Sequence, residues 1–273
     1  MTGTGARAIA PADVTNVDQH LDMWQGRLDS RVRLLGQPVS VSSTVSPDSD
    51  TLALRIRSPL LAGKRVAVRI ALPYGYKPGG HHNPPLDWSQ PDGHTSKVLE
   101  RTGRKLVVQH TRDAARYAMT VASGAPLTIT QPSAHVFEIA PQSGETLELT
   151  VSFAKDGTAP AQDVATVFAA GSAHWDRFWR SGAAIDFKGS TDPRAAELER
   201  RVVLSQYLTA IQLGDEMPAS ESGLTTSTWY GKHHTEMVWW HTAHFALWGR
   251  PEYTARTLTW FQRTLPVARA VAA

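Results

Sequence analysis

Between positions 229 and 250 the chain reads WYGKHHTEMVWWHTAHFALWGR, with four tryptophans, four histidines and one glutamate in 22 positions. Flat rings such as Trp229, Tyr230, Trp239 and Trp240 can stack on the C–H faces of a sugar, while Lys232, His233, His234 and Glu236 can grip hydroxyls by directional hydrogen bonds. The competing reading is structural: Glu236 pairs with Lys232 or a histidine, and the tryptophans are core. A metal is a second competitor for the imidazoles. No H-E-x-x-H is present, and His234 and His241, seven residues apart in the sequence, lie roughly 10 Å apart along a helix. His241 and His244 could ligate together, but two ligands fall short of a site, so neither a metal nor another cofactor is expected.

These groups need elements to position them. Projected on a helix, residues 234 to 248 place Glu236, Trp240, Ala243 and Leu247 on one side and Met237, His241, Phe245 and Trp248 nearly opposite. Both faces are apolar, so the helix is expected to be buried on both sides, in the inner layer of a two-layer assembly. RPEYTARTLTWFQRTLP restarts with Pro251 and is one-sided; it reads as an outer helix carrying Trp260 away from the site. Upstream, STDPRAAELERRVVLSQYLTAIQLG reads as a helix capped by Asp192 and ending at Gly214, with Leu198, Val202, Ser205, Leu208 and Gln212 near one stripe. QDVATVFAAGSAHWDRFWRSG reads as a connecting helix.

The first 155 or so residues carry a different rhythm. Short β-branched runs such as PVSVSSTVS, TLALRIRS, RVAVRIALPY, KLVVQHT, LTITQ and TLELTVSFA recur between turn clusters such as SPDSD, RTGRK and PQSGE, which marks antiparallel strands joined by hairpins. Alternation groups Leu52, Leu54 and Ile56 on one face, and Val66, Val68 and Ile70 on another, as in a half-buried sandwich sheet. One Pro- and Gly-rich insertion, residues 73 to 96, breaks the pattern; it is read either as a surface loop or as a loop presenting Asp87 and Trp88 to a neighbouring pocket.

Composition excludes several function classes. The chain has 273 residues, no cysteine and a net charge of +3 from scattered Lys and Arg. Disulfides and thiol chemistry are excluded, and no basic stripe suggests nucleic acid. No long apolar run suggests a membrane span or an export signal, and localisation stays open between cytoplasmic and exported. The C-terminal FQRTLPVARAVAA stops just after an amphipathic segment, and a fragment is expected.

GLTTSTWYGKHHTEMVWWHTAHFALWGRPE resembles the signature of bacterial six-hairpin glycosidase-like proteins, related to glycoside hydrolase families 65 and 15. The stretches DQHLDMWQGRL, PVSVSSTV, RIRSPLL, LPYGY and DWSQPDGH are similar to the sandwich portion of the same proteins. The resemblance implies a β-sandwich followed by α-helices: an N-terminal antiparallel supersandwich over residues 1–158, a helical linker over 159–189, and the opening helices of an incomplete (α/α)6 barrel over 190–273. It implies an inverting enzyme acting on an oligosaccharide or glycoside by hydrolysis or phosphorolysis, with the sugar at the barrel mouth. Thr235 and Glu236 match the last two positions of a Trp-Asp-Thr-Glu turn that holds the terminal sugar in relatives, whereas His233 and His234 replace its first two. Trp229, Tyr230, Lys232, His233, His234, Glu236 and Trp240 are the expected sugar contacts, with Asp87 and Trp88 closing from the sandwich side. The general acid and base of such enzymes lie on later helices, so the catalytic pair is not expected within this chain, and self-association of the uncovered helices is. A non-catalytic carbohydrate-binding or interaction module remains the alternative.

Overall fold

A computed structural model describes residues 9–75, 86–155, 157–224 and 229–273. The chain divides into two compact units. One holds the chain up to Tyr74 together with Trp88–Asp176, and the other holds Arg177–Ala273, with which Gly75 and Asp87 also group.

The first unit is built from two antiparallel sheets. Strands β1 (Val14–Asp22), β2 (Arg27–Leu34), β3 (Gln37–Val45), β4 (Thr51–Arg57), β6 (Thr95–Arg101), β7 (Lys105–Arg112), β8 (Ala115–Ala122) and β11 (Thr146–Ala154) form an eight-stranded sheet in the order β1-β2-β3-β4-β11-β8-β7-β6. Strands β5 (Val68–Ala71), β9 (Leu127–Ser133) and β10 (Val136–Pro141) form a smaller sheet in the order β5-β10-β9. One core joins them. Leu106 and Val108 of β7, Met119 and Val121 of β8, and Leu147 and Leu149 of β11 pack with Phe137 and Ile139 of β10. Each such side chain removed from water contributes about 1.5 to 3 kcal/mol. Of the residues expected to alternate inward on β4 and in the run at 65–74, Leu54, Ile56, Val66, Val68 and Ile70 border this core, and the half-buried Leu52 is not among them.

The opposite face of β4 is covered as well. Ala53 is fully buried against Val164 and Val167 at the start of helix α2 (Val164–Ser181; α1 is the single turn Pro59–Ala62 after β4), beside Phe168, over whose ring the Arg55 guanidinium lies at 4.3 Å. Small residues permit this approach. A Cβ on Gly171 of α2 would stand 2.7 Å from Thr44 Oγ1, and one on Gly26 would overlap the Trp175 indole. Buried hydroxyls on this side are satisfied: Thr120 Oγ1 donates to the Ala159 carbonyl at 2.9 Å, Thr150 Oγ1 to that of Gln162 at 3.0 Å, and Thr51 Oγ1 to Ser152 Oγ at 2.9 Å. The connection into α2 is thereby stitched to the sheet.

In the second unit, α3 (Ala195–Leu213) ends at Gly214, whose N–H bonds the Ala210 carbonyl at 3.1 Å. It starts later than expected, because Asp192 and Pro193 form a preceding turn in which Asp192 accepts from the Arg194 N–H at 2.8 Å. The expected buried stripe is also rotated: Leu198 and Leu208 are exposed, and Val203, Gln206 and Tyr207 face inward. Gln206 turns in because its Oε1 accepts from the buried Arg250 at 3.2 Å.

Helices α4 (Met237–Leu247) and α5 (Pro251–Ala272) pack on each other through a turn at Gly249, whose φ of +74° suits glycine. α4 is buried on one side only, and the two-sided burial expected of an inner layer in a complete assembly is not formed by these helices. His241, Thr242 and Phe245 form its buried side, whereas Trp239, Trp240 and Leu247 are 71, 69 and 84% exposed. Among the described residues α4 packs chiefly on α5 and also touches α3, and that contact covers one stripe only. A closed (α/α)6 barrel is therefore not what these helices form by themselves. No helix among the described residues is long and apolar enough to cross a membrane.

Candidate functional site

Two short stretches create the site in the helical unit. Residues 219–224 run beside 229–234, tied by the Glu221 N–H to the Lys232 carbonyl at 3.3 Å. A single 3-10 turn, Trp229–Gly231, opens the second stretch, and Trp229 takes φ +49° there. A bulky residue held in that region costs about 1 to 3 kcal/mol, and such outliers concentrate at functional sites.

His233 Nδ1 donates to the Ala219 carbonyl at 3.1 Å, which leaves the lone pair of the neutral ring on Nε2. That Nε2 is buried and has no hydrogen-bond partner among the described residues. The Nε2 of His234 is in the same condition, 3.9 Å from the Glu221 carboxylate and outside hydrogen-bond reach of it. The His234 ring meets the 44% exposed Trp229 edge-on, with centroids 6.0 Å apart. On the far side His233 contacts the rings of Trp260 and Phe261, each at 5.8 Å. His241 lies beneath, its Nε2 donating to the Glu221 carbonyl at 3.0 Å. Burial pushes the His241 imidazole below its ordinary pKa, and it does the same to His244 one turn on. These two rings are neutral near pH 7.

Of the expected contacts, Trp229, His233 and His234 come together. Lys232 contributes its carbonyl to the stretch pairing, and its side chain reaches solvent. Glu236 is exposed at the residue preceding α4 and makes no capping bond, so the expected buried carboxylate is instead solvated. Trp240 sits on the uncovered side of α4. The Tyr230 side chain and residues 76–85 of the insertion lie outside the described residues. Asp87 is half-buried and groups with the helical unit, whereas Trp88, 59% exposed, groups with the sandwich unit. Trp260 is not remote scaffold, since it contacts His233 directly.

Sequence reading missed Glu221, because an ordinary loop glutamate carries no periodic signal. It also missed His94, His110 and His135 in the sandwich unit, which converge in space from three separate stretches of sequence.

No family model matches this chain, and no curated protein does. Among solved structures it is similar to the family GH92 alpha-mannosidase of Bacteroides thetaiotaomicron, with a TM-score of 0.31 and 10% sequence identity over 74% of this chain. The chain spans 27% of the length of that structure. A score of 0.31 is too low to equate the two folds.

Proposed function

We propose that this chain is part of a carbohydrate-active enzyme and seats a sugar against Trp229, His233, His234 and Glu221. Of the three buried imidazole Nε2 atoms without hydrogen-bond partners among the described residues, those of His233, His234 and His244, the first two belong to adjacent residues and the His234 ring meets a half-exposed indole; this is the observation behind the reading. A buried polar atom left unpaired costs about 1 to 3 kcal/mol. A sugar hydroxyl can donate to one ring and accept from another, so a vicinal pair serves both histidines while the ring C–H face stacks on Trp229. Glu221 supplies a charged acceptor, and Tyr230, Lys232, Glu236 and Trp240 are the outer contacts. Asp87, which groups with the helical unit, approaches the same ligand in this reading.

The resemblance to six-hairpin glycosidases supports an inverting hydrolase or phosphorylase as the complete enzyme. Inversion needs an acid and a base roughly 6.5 to 9.5 Å apart across the glycosidic bond, and these are assigned to helices beyond α5. The chain itself then binds sugar without turning it over, and the uncovered sides of α4 and α5 take up further helices or a second copy of the chain.

Calorimetric titration with a panel of monosaccharides and disaccharides tests the site. One saturable site per chain is expected, weakened at least about tenfold, or some 1.4 kcal/mol, by His233→Phe and by Trp229→Ala. Trp24→Ala, in the sandwich unit, leaves it unchanged. A sugar bound equally well by the His233 variant places the site elsewhere. Robust hydrolysis of aryl glycosides by this chain, abolished by changing one of its carboxylates, overturns the assignment of the acid and base.

A further inference from the structure

In the sandwich unit three histidines meet at the end of the insertion. His94 precedes β6, His110 lies on β7 and His135 joins β9 to β10; they are 7, 3 and 9% exposed. One nitrogen from each lies within 4.8 Å of the other two.

Their hydrogen bonds fix where the protons sit. His135 Nε2 lies 2.8 Å from the Pro91 carbonyl, which can only accept, so the proton is on Nε2 and the lone pair on Nδ1. Ser96 Oγ stands 2.8 Å from that Nδ1 and 3.0 Å from His110 Nδ1. The hydroxyl donates to the first and accepts from the second, which leaves the lone pair of His110 on Nε2. His110 Nε2 in turn faces His94 Nδ1 at 3.3 Å. Two nitrogens on a tetrahedral zinc, each about 2.05 Å from the ion, stand about 3.4 Å apart.

We infer that His94, His110 and His135 form a binding site for a borderline divalent cation of the zinc class, held through His94 Nδ1, His110 Nε2 and His135 Nδ1. Ring nitrogens that do not ligate metals are usually tied to carbonyls or hydroxyls, which orient the ring and fix its tautomer. Pro91 already does this for His135, and Ser96 does it for His110. Two proton adjustments are needed: the His94 proton moves to Nε2, and the Ser96 hydroxyl turns from His135 while still accepting from His110. His135 must also tilt out of its stack on His94, where the centroids are 3.7 Å apart. The neighbouring Arg112 opposes a cation, but it lies 3.4 Å from the Asp113 carboxylate and 4.2 Å over the Tyr74 ring. Three imidazoles with no carboxylate favour zinc, nickel or copper over calcium or magnesium.

Titrating the full chain with Zn2+ alone, after EDTA treatment, is expected to show one tight equivalent per chain that raises the melting temperature, whereas Ca2+ does neither. Cobalt should give the intense visible bands of a tetrahedral site, displaced by one equivalent of zinc. His135→Gln and His94→Gln should each weaken binding at least about tenfold, the lower end for loss of a metal-site partner. His233→Phe, in the helical unit, serves as the control and should not. Should a variant fail to fold, the wild-type cobalt spectrum decides: octahedral bands, or no bands, overturn the site. Stoichiometric binding that survives both substitutions, or is lost in the His233 variant, also overturns it.

Discussion

Arg250→Ala is expected to destabilise the helical unit by about 3 to 5 kcal/mol. The guanidinium is fully buried. Its Nε donates to the Phe178 carbonyl at 2.9 Å, Nη1 to Gln206 Oε1 at 3.2 Å and Nη2 to the Ala183 carbonyl at 3.5 Å, and its plane lies 4.1 Å over the Phe178 ring. One side chain thus joins the end of α2, the following loop and α3. Packing is close enough that a Cβ on Gly182 would stand 2.9 Å from Arg250 Cγ. Truncation strands three acceptors in a low-dielectric interior and opens a cavity, and each effect alone costs more than a surface substitution. Burial lowers the Arg250 pKa, yet a guanidinium stays charged at any ordinary pH. Arg250→Lys should recover only part of the loss, since an ammonium does not match the planar fork. Urea unfolding followed by tryptophan fluorescence measures it; a loss below about 1 kcal/mol for Arg250→Ala contradicts this role.

The second large effect concerns the uncovered side of α4. Trp239 and Leu247, 71 and 84% exposed, lie two turns apart and belong to an apolar strip that water solvates poorly. The chain is expected to self-associate at concentrations of about tens of micromolar, where an interface of modest size forms. Trp239→Lys combined with Leu247→Lys should return it to a monomer without loss of helical circular dichroism. A wild-type chain that scatters light as a monomer at that concentration overturns the prediction.

Legibility followed the hydrophobic pattern. The strands of the sandwich core announced themselves, because Leu54 and Ile56, or Leu147 and Leu149, alternate with residues on the other face. Strands β1 and β6 did not. They are the two edges of the eight-stranded sheet, and their sequences VTNVDQHLD and TSKVLER are mostly exposed. Charged residues and a register shift in each discourage further pairing, and the same features remove the apolar period. In α4 the sequence offers two apolar sides, and only the contact with α5 selects the one holding His241 and Phe245. The inward turn of Gln206 depends on Arg250, 44 residues away, and no local pattern encodes it. His233 and His234 were legible as polar rings in an aromatic setting, whereas Glu221 and Trp260 join them only through tertiary contact.

The sugar site is tested most directly by nitrogen NMR of the histidine rings during titration with whichever saccharide binds. Hydrogen bonding from a hydroxyl moves the resonance of the ring nitrogen that accepts it. The Nε2 signals of His233 and His234 should shift in proportion to occupancy, while those of His94, His110 and His135 stay fixed. Saturable sugar binding that leaves both His233 and His234 unmoved would contradict the assignment.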